Sequence, residues 1–197
     1  MPKISEARRV ERRSEIMDAA LRCFLRTGYN GTSMADIIAE SGLSAGAIYS
    51  YFPGKQQLVR AVAERILDAR RTELEAASAQ RALSPAGVVR VLAQGVRANA
   101  PLPVLLQVWG EATVDPELRA AVQSVLLHMR ATIAGVLGRW AEGHADELPL
   151  PAAEWAAVAA PVVMGMIPSF LLQSVLVDGF DDEAFLRGVD LVLPSHP

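Results

Sequence analysis

One cysteine, Cys23, is all this chain contains, so no intrachain disulfide can form and a reducing cytoplasm is the expected compartment. Histidine is nearly as scarce. His128, His144 and His196 are too scattered to make a metal-ligand set or a Ser/His/Asp arrangement, and the chain is expected to be no enzyme, with no metal and no cofactor. Alternation of period two runs over no useful length, which argues against strands. Internal repeats and low-complexity linkers are missing too. Lys3, Arg8, Arg9, Arg12 and Arg13 open the chain without an apolar run behind them, so this stretch does not read as a signal peptide. Nor is there an overall basic excess. The formal net charge of −3 taken alone argues against nucleic acid. Split after Arg71, however, the first part carries 12 Lys/Arg against 8 Asp/Glu and the remainder 7 against 14, a balance of +4 and −7. That asymmetry suits a nucleic-acid-reading head on an acidic body.

What the chain has is apolar residues at helical spacing. The hydrophobic fraction is 51%, at the upper edge for a globular protein, and 197 residues allow one large domain or a small and a medium one. Ile16, Ala19, Ala20, Cys23 and Phe24 form one stripe on a first helix from about residue 7 to 27, which makes Cys23 a core residue; a redox-sensing thiol is the other reading. Gly28 follows where a helix end favours positive φ. Further helices are expected at about 55–79, with Leu58, Val62, Ile66 and Leu67 inward, and at 85–99 after Ser84-Pro85. Others are expected at 104–114 after the breaking Pro101-Leu102-Pro103, at 116–143 with Asp115 as N-cap and Pro116 at the first helical position, at 152–177 and at 182–193. Residues 143–151 read as a loop. The sum is an all-α chain of about nine helices.

Residues 155–177 carry no charge and are long enough to span a bilayer. Pro161, Pro168, Ser169, Gln173 and Ser174 interrupt them, and their flanks are acidic, without the basic anchors a membrane span shows. A helix covered by its own core and by a second subunit fits better. The two prolines each remove a backbone hydrogen bond and should bend it.

The densest information lies in residues 32–58. Ser33 followed by Asp36 three positions on is a capping box that starts one short helix. Ile37, Ile38 and Ala39 give it an apolar face, Gly42 turns the chain, and Ser44 caps a second helix through Tyr49 to Phe52. Two helices joined by so short a Gly-containing turn match the helix-turn-helix, whose second helix enters the major groove.

Residues 12–60 resemble the N-terminal domain of the tetracycline-repressor-type (TetR) family of bacterial transcription regulators. The family's elements stand here as Gly28-Tyr29, Thr32-Ser33, Ile38-Ala39, Gly42-Leu43-Ser44, Gly46, Tyr49-Ser50-Tyr51-Phe52 and Lys55-Gln56-Gln57-Leu58. Pro53-Gly54 departs from the pattern, which more often has Ser or Asn before the lysine and so a better cap for the next helix. The resemblance implies a three-helix DNA-binding domain over residues 1–54 and a helical effector-binding and dimerisation domain over 55–197. It also implies that Tyr49 and Lys55 clamp phosphates, although a packing role for Tyr49 is open.

Other DNA contacts follow from the residue types. The helix starts at Ser33 and Ser44 offer oriented N–H groups, with Thr32 beside them. Base reading falls to Ala45, Gly46, Ala47 and Ser50, with Tyr51 at the edge. None is Arg, Asn or Gln, so readout should lean on thymine methyl groups and on DNA shape. The arginines at 8, 9, 12 and 13 read either as a mobile arm on DNA or as a solvated helix face.

In the body, large apolar side chains are broken by single polar ones. Trp109 stands near Gln107, Met129 near His128, and Met164, Met166 and Phe170 near Gln173. This suits an apolar pocket with a few orienting groups, and equally a plain core. The expected effector is mainly apolar and uncharged or weakly polar. The whole reads as a homodimeric repressor of a palindromic double-stranded DNA operator, released by that effector. A DNA-binding regulator without an effector, and an enzyme with a vestigial helix-turn-helix, are the rival readings.

Overall fold

The computed structural model describes residues 6–99 and 102–194. Among them are nine α-helices and no strand: α1 (Glu6–Gly31), α2 (Met34–Ser41), α3 (Ala45–Tyr51), α4 (Lys55–Gln80), α5 (Pro85–Asn99), α6 (Leu102–Ala112), α7 (Pro116–Gly143), α8 (Ala152–Leu176) and α9 (Asp182–Val192). The expected loop at 143–151 holds one 3-10 turn, Ala145–Glu147. His196, Lys3 and Pro101 lie outside the described residues.

Local chemistry accounts for most helix ends. Gly28 interrupts α1 with φ 75° and ψ 171°, a conformation open to glycine alone, and a last turn follows it. Asp115 caps α7 by accepting from the backbone N–H groups of Glu117 and Leu118 at 2.9 and 3.0 Å. Asp181 caps α9 through the N–H of Ala184 at 2.9 Å. One proline expectation needs correction. Pro103 sits in the first turn of α6, where its missing N–H has no helical partner to lose. Helix α8 continues through Pro161 and Pro168 as one element.

The chain divides into two compact units. One runs to Arg65 and takes in Pro103–Val122; the other comprises Ile66–Leu102 and the chain from Gln123 onward. By compactness, then, the first half of α4 and nearly all of α6 go with the helix-turn-helix. The first unit buries the expected stripe of α1 together with Ile37, Ile48, Phe52, Leu58 and Val62. In the second, α5 packs on α8 and α9. Its core gathers Leu74, Val88, Val89, Leu92, Ile133, Leu137 and Val163, and Arg90 closes the α5–α9 seam with a 2.6 Å ion pair to Asp190.

Helix α8 is enclosed on one side only. Ala156, Ala160, Val163, Phe170 and Leu171 face inward, whereas Val158, Val162, Leu172 and Leu176 are exposed, Leu176 by 68%. By length and composition α7 and α8 could each cross a membrane. Both are here helices of a folded body, each with a buried face.

Candidate nucleic-acid interface

The helix-turn-helix is built from backbone hydrogen bonds that its own side chains satisfy. Ser33 Oγ accepts from the N–H of Asp36 at 3.2 Å, and the Asp36 carboxylate accepts from the Ser33 N–H at 2.7 Å and its hydroxyl at 2.6 Å. These bonds, the hydroxyl first, hold the Asp36 carboxyl below the usual carboxylate range. Gly42 then takes the left-handed conformation (φ 67°, ψ 10°) that reverses the chain. Ser44 Oγ accepts from the N–H of Ala47 at 3.3 Å and opens α3. Across the pair, Arg22 and Arg26 of α1 reach Glu40 of α2 at 2.7 and 3.1 Å, pinning α2 to α1 and lowering the Glu40 pKa.

On α3, Ile48 is fully enclosed and anchors the helix to the unit's core. The opposite face is open: Ser44, Ala45, Gly46, Tyr49 and Ser50 are exposed, and Ala47 and Tyr51 partly so. Ser33 is exposed beside this face. Tyr49 is 48% exposed, which sets aside its reading as a packing residue. A Cβ on Gly46 would meet nothing within 4 Å, and its φ is not positive. Packing therefore does not require glycine there. A surface of small side chains on a helix of this kind admits close approach of a nucleic-acid backbone or of thymine methyl groups.

Three expected contacts lie elsewhere. Thr32 is buried, its hydroxyl donating to the Gly28 carbonyl at 2.7 Å and paired with Thr27 at 2.8 Å. It fastens the corner between α1 and α2. Lys55 points to the same corner. Its Nζ donates to the carbonyls of Tyr29 and Thr32, both at 3.0 Å, and lies 4.3 Å above the Tyr29 ring. That burial pushes its pKa down, with Glu111 opposing. The arginines at 8, 9, 12 and 13 belong to helix α1 and not to an arm. Arg12 pairs with Glu15 at 2.8 Å, and Arg13 lies 5.2 Å over Phe52.

The corner also has a lock that the motif did not reveal. Gln107 of α6 accepts from the Tyr29 N–H at 2.8 Å, and a Cβ on Gly28 would come within 2.5 Å of that same oxygen. Gly28 is thus required twice, by its dihedral and by this approach. Asn30 donates to Glu111 at 3.2 Å, and Gln56 donates to Asp115 at 2.6 Å. Of these partners, the sequence marks Asp115 as a helix cap and Gln107 as a candidate effector contact, and neither reading places them at this corner.

The expected effector residues fall in both units. Gln107 and Trp109 belong to the first unit, and the other six to the second. Gln107 is a correction: its amide holds the corner. Met129 is a core residue, Met164 and Met166 pack beside that core, and Phe170 meets the rings of Phe180 and Phe185 edge-on at 5.7 and 5.4 Å. His128 is exposed, with Nδ1 2.8 Å from the Ser124 carbonyl, and Gln173 bonds Ser169 at 3.2 Å. Cys23 is fully enclosed and burial raises its thiol pKa, as a core residue requires.

Comparison with known proteins agrees with this geometry. Residues 16–62 match the family described as bacterial regulatory proteins, tetR family. The HTH-type transcriptional repressor AcnR of Corynebacterium jeikeium is 40% identical over 63 residues, 32% of this chain and 33% of its own length. The HTH-type transcriptional regulator BetI of Paraburkholderia phymatum is 29% identical over 197 residues, covering 95% and 92%. This chain spans a third to a half of the length of the curated relatives that it first matches. The crystal structure of the transcriptional regulator FadR from Bacillus subtilis, in complex with stearoyl-CoA, superposes with a TM-score of 0.75 over 93% of this chain and 99% of that one, at 18% identity, which is likeness of fold alone. These relatives are named as transcriptional regulators. With its capped helix pair, its open α3 face and residues 16–62 matching the family model, the N-terminal part of the chain is similar to the DNA-binding region of the TetR family of bacterial transcription regulators.

Proposed function

We propose that the protein is a cytoplasmic, homodimeric repressor that reads a palindromic operator with α3 and leaves it when a mainly apolar small molecule enters the body. The observation that carries the DNA-reading part is the open face of α3, small-residued and uncovered among the described residues, on a helix whose other side is anchored by Ile48. Tyr49 supplies a hydroxyl for phosphate, and the helix starts at Ser33 and Ser44 supply oriented N–H groups. Residues 1–54 carry this function and the remainder carries effector binding and dimerisation. Repression is suggested by relatives such as AcnR that bear the name of repressor. Response to a ligand is suggested by structural relatives solved with stearoyl-CoA or with choline. Binding of a ligand shifts the setting of α4, and with it the spacing of the two recognition helices, through the ligand's differential affinity for the two states.

Selection of bound fragments from random double-stranded DNA tests the reading. Enrichment of an inverted repeat with half-sites about one helical turn apart is the expected result. Gly46→Ala gives the sharper check. It should leave the fold intact or gain about 0.5–1 kcal/mol, since alanine favours a helix interior, while weakening the selected operator. Unaltered operator affinity in Gly46→Ala would remove α3 from the DNA.

A further inference from the structure

Arg70 lies on the inward stripe of α4, between Leu67 and Leu74, where the helical period calls for an apolar residue. Leu74 is fully enclosed, Leu67 packs on the core of the second unit, and Arg70 is itself only 5% exposed. A guanidinium stays protonated at any depth, so a permanent charge has been taken out of water here. One nitrogen is accounted for, with Nη2 donating to Oε1 of Glu73 at 2.6 Å. Nε and Nη1 are enclosed and meet no hydrogen-bond partner among the described residues. Buried donors in folded proteins are satisfied as a rule, by protein, by an ordered water or by a bound group.

The seat of this guanidinium depends on a second element. Gly95 of α5 faces it, and a Cβ at that position would stand 2.3 Å from Nη1 and 2.5 Å from Oε2 of Glu73. Glycine inside a helix is unfavourable relative to alanine, and here only a bare backbone leaves room for the Arg70–Glu73 pair. Glu73 is 43% exposed at its side chain, so it can turn to water when a better-placed acceptor arrives. Leu67, Leu74, Val91 and Leu92, on the same two helices, belong to or pack on the apolar core of this unit.

We infer that Arg70 anchors the anionic group of the body's ligand, and that this ligand is an apolar organic monocarboxylate. The inference rests on the ligand-responsive reading above and narrows it, replacing the uncharged effector expected from the sequence. A single negative charge matches the single guanidinium. A phosphate dianion would set two further charges beside Glu73 with one cation to balance them. The apolar remainder of the ligand lies along α4 and α5, so charge-assisted hydrogen bonds fix its orientation and apolar burial supplies its affinity.

The test compares matched pairs on the full-length protein at pH 7 and constant ionic strength. The probes are hexanoate, octanoate, dodecanoate and phenylacetate, each against its primary alcohol, read by thermal shift and by release of the selected operator. On the wild type a carboxylate should bind on the order of tenfold to a hundredfold more tightly than its alcohol. Arg70→Met should lose that preference, melt no lower than the unliganded wild type, because an underpaired buried charge is gone, and keep its operator affinity. Equal response to acid and alcohol, or a preference that survives in Arg70→Met, overturns the anchor and leaves the ligand-responsive reading standing. Failure of every probe to stabilise or to release DNA overturns both. Should Arg70→Met not fold, Gly95→Ala displaces the guanidinium from its seat, and the same loss of acid preference is expected; retention of the preference in that variant overturns the inference.

Discussion

Lys55 stands where family resemblance implied a phosphate contact, yet its ammonium is held by the carbonyls of Tyr29 and Thr32. Two of its three N–H groups are committed to the corner of the head, and the third can serve DNA. The two roles separate by measurement. Lys55→Ala leaves two carbonyls without a charged donor, which should lower stability by about 1.5–3 kcal/mol in urea unfolding. If the third N–H meets phosphate, the slope of log affinity against log salt also falls by about 0.9 for each lost contact, on specific and random DNA alike. Lowered stability with an unchanged salt slope would assign Lys55 to the corner alone. Residue type and position could name Lys55 as important, because a lysine after a Tyr-x-Tyr-Phe run is a specific signal. They could not say where its ammonium points. The same limit hid Gln107, Glu111 and Arg70, whose partners are chosen by the fold and leave no local trace.

At the scale of elements, the helix starts were the most legible feature, since a cap is a contact between residues three apart. The capping box of α2 and the Asp115 and Asp181 caps follow from chemistry that any reader of the chain can apply. Proline was read less well: a missing N–H disrupts a helix only where it removes a bond that would have formed, and the first turn of α6 forms none. The capping box also carries a pH dependence. Asp36, held low by the Ser33 hydroxyl and N–H, and Glu40, held low by Arg22 and then Arg26, both have depressed folded-state pKa values. Their contribution is therefore present above the unfolded-state values of about 3.9–4.3 and is lost as pH falls through them toward the lower folded-state values. Stability of the head should drop on acidification below about pH 4. Ser33→Ala, which removes the hydroxyl, should cost about 1 kcal/mol at neutral pH and flatten part of that acid dependence. Urea unfolding of both proteins at pH 7 and pH 3 decides it, and an identical acid loss in wild type and Ser33→Ala would refute the assignment.

For the whole molecule, the open side of α8 is the main unanswered surface. Val158, Val162, Leu172 and Leu176 lie exposed on a helix whose other face is core, and full burial of such side chains stabilises by about 1.5–3 kcal/mol each. A second copy of the chain, pairing α8 and α9 across a two-fold axis, is the proposed cover. Leu172→Asp and Leu176→Asp should each yield monomers in sedimentation, because an unpaired carboxylate in an apolar interface is costly. Tight operator binding should be lost with the dimer, since two half-sites are engaged together. A wild-type monomer at micromolar concentration would end this reading. The chain's periodicity, caps and helix-turn-helix spacing by themselves determined an all-α protein, the position of nearly every helix and the place of the helix-turn-helix, because each depends on residues within a turn or two of one another. Tertiary structure alone decided that α6 locks the corner of the head, that the expected effector residues fall into two units, and that Arg70 is buried with donors to spare. Those outcomes depend on which face of one helix meets which face of another, and period and spacing mark a face without naming what will stand against it.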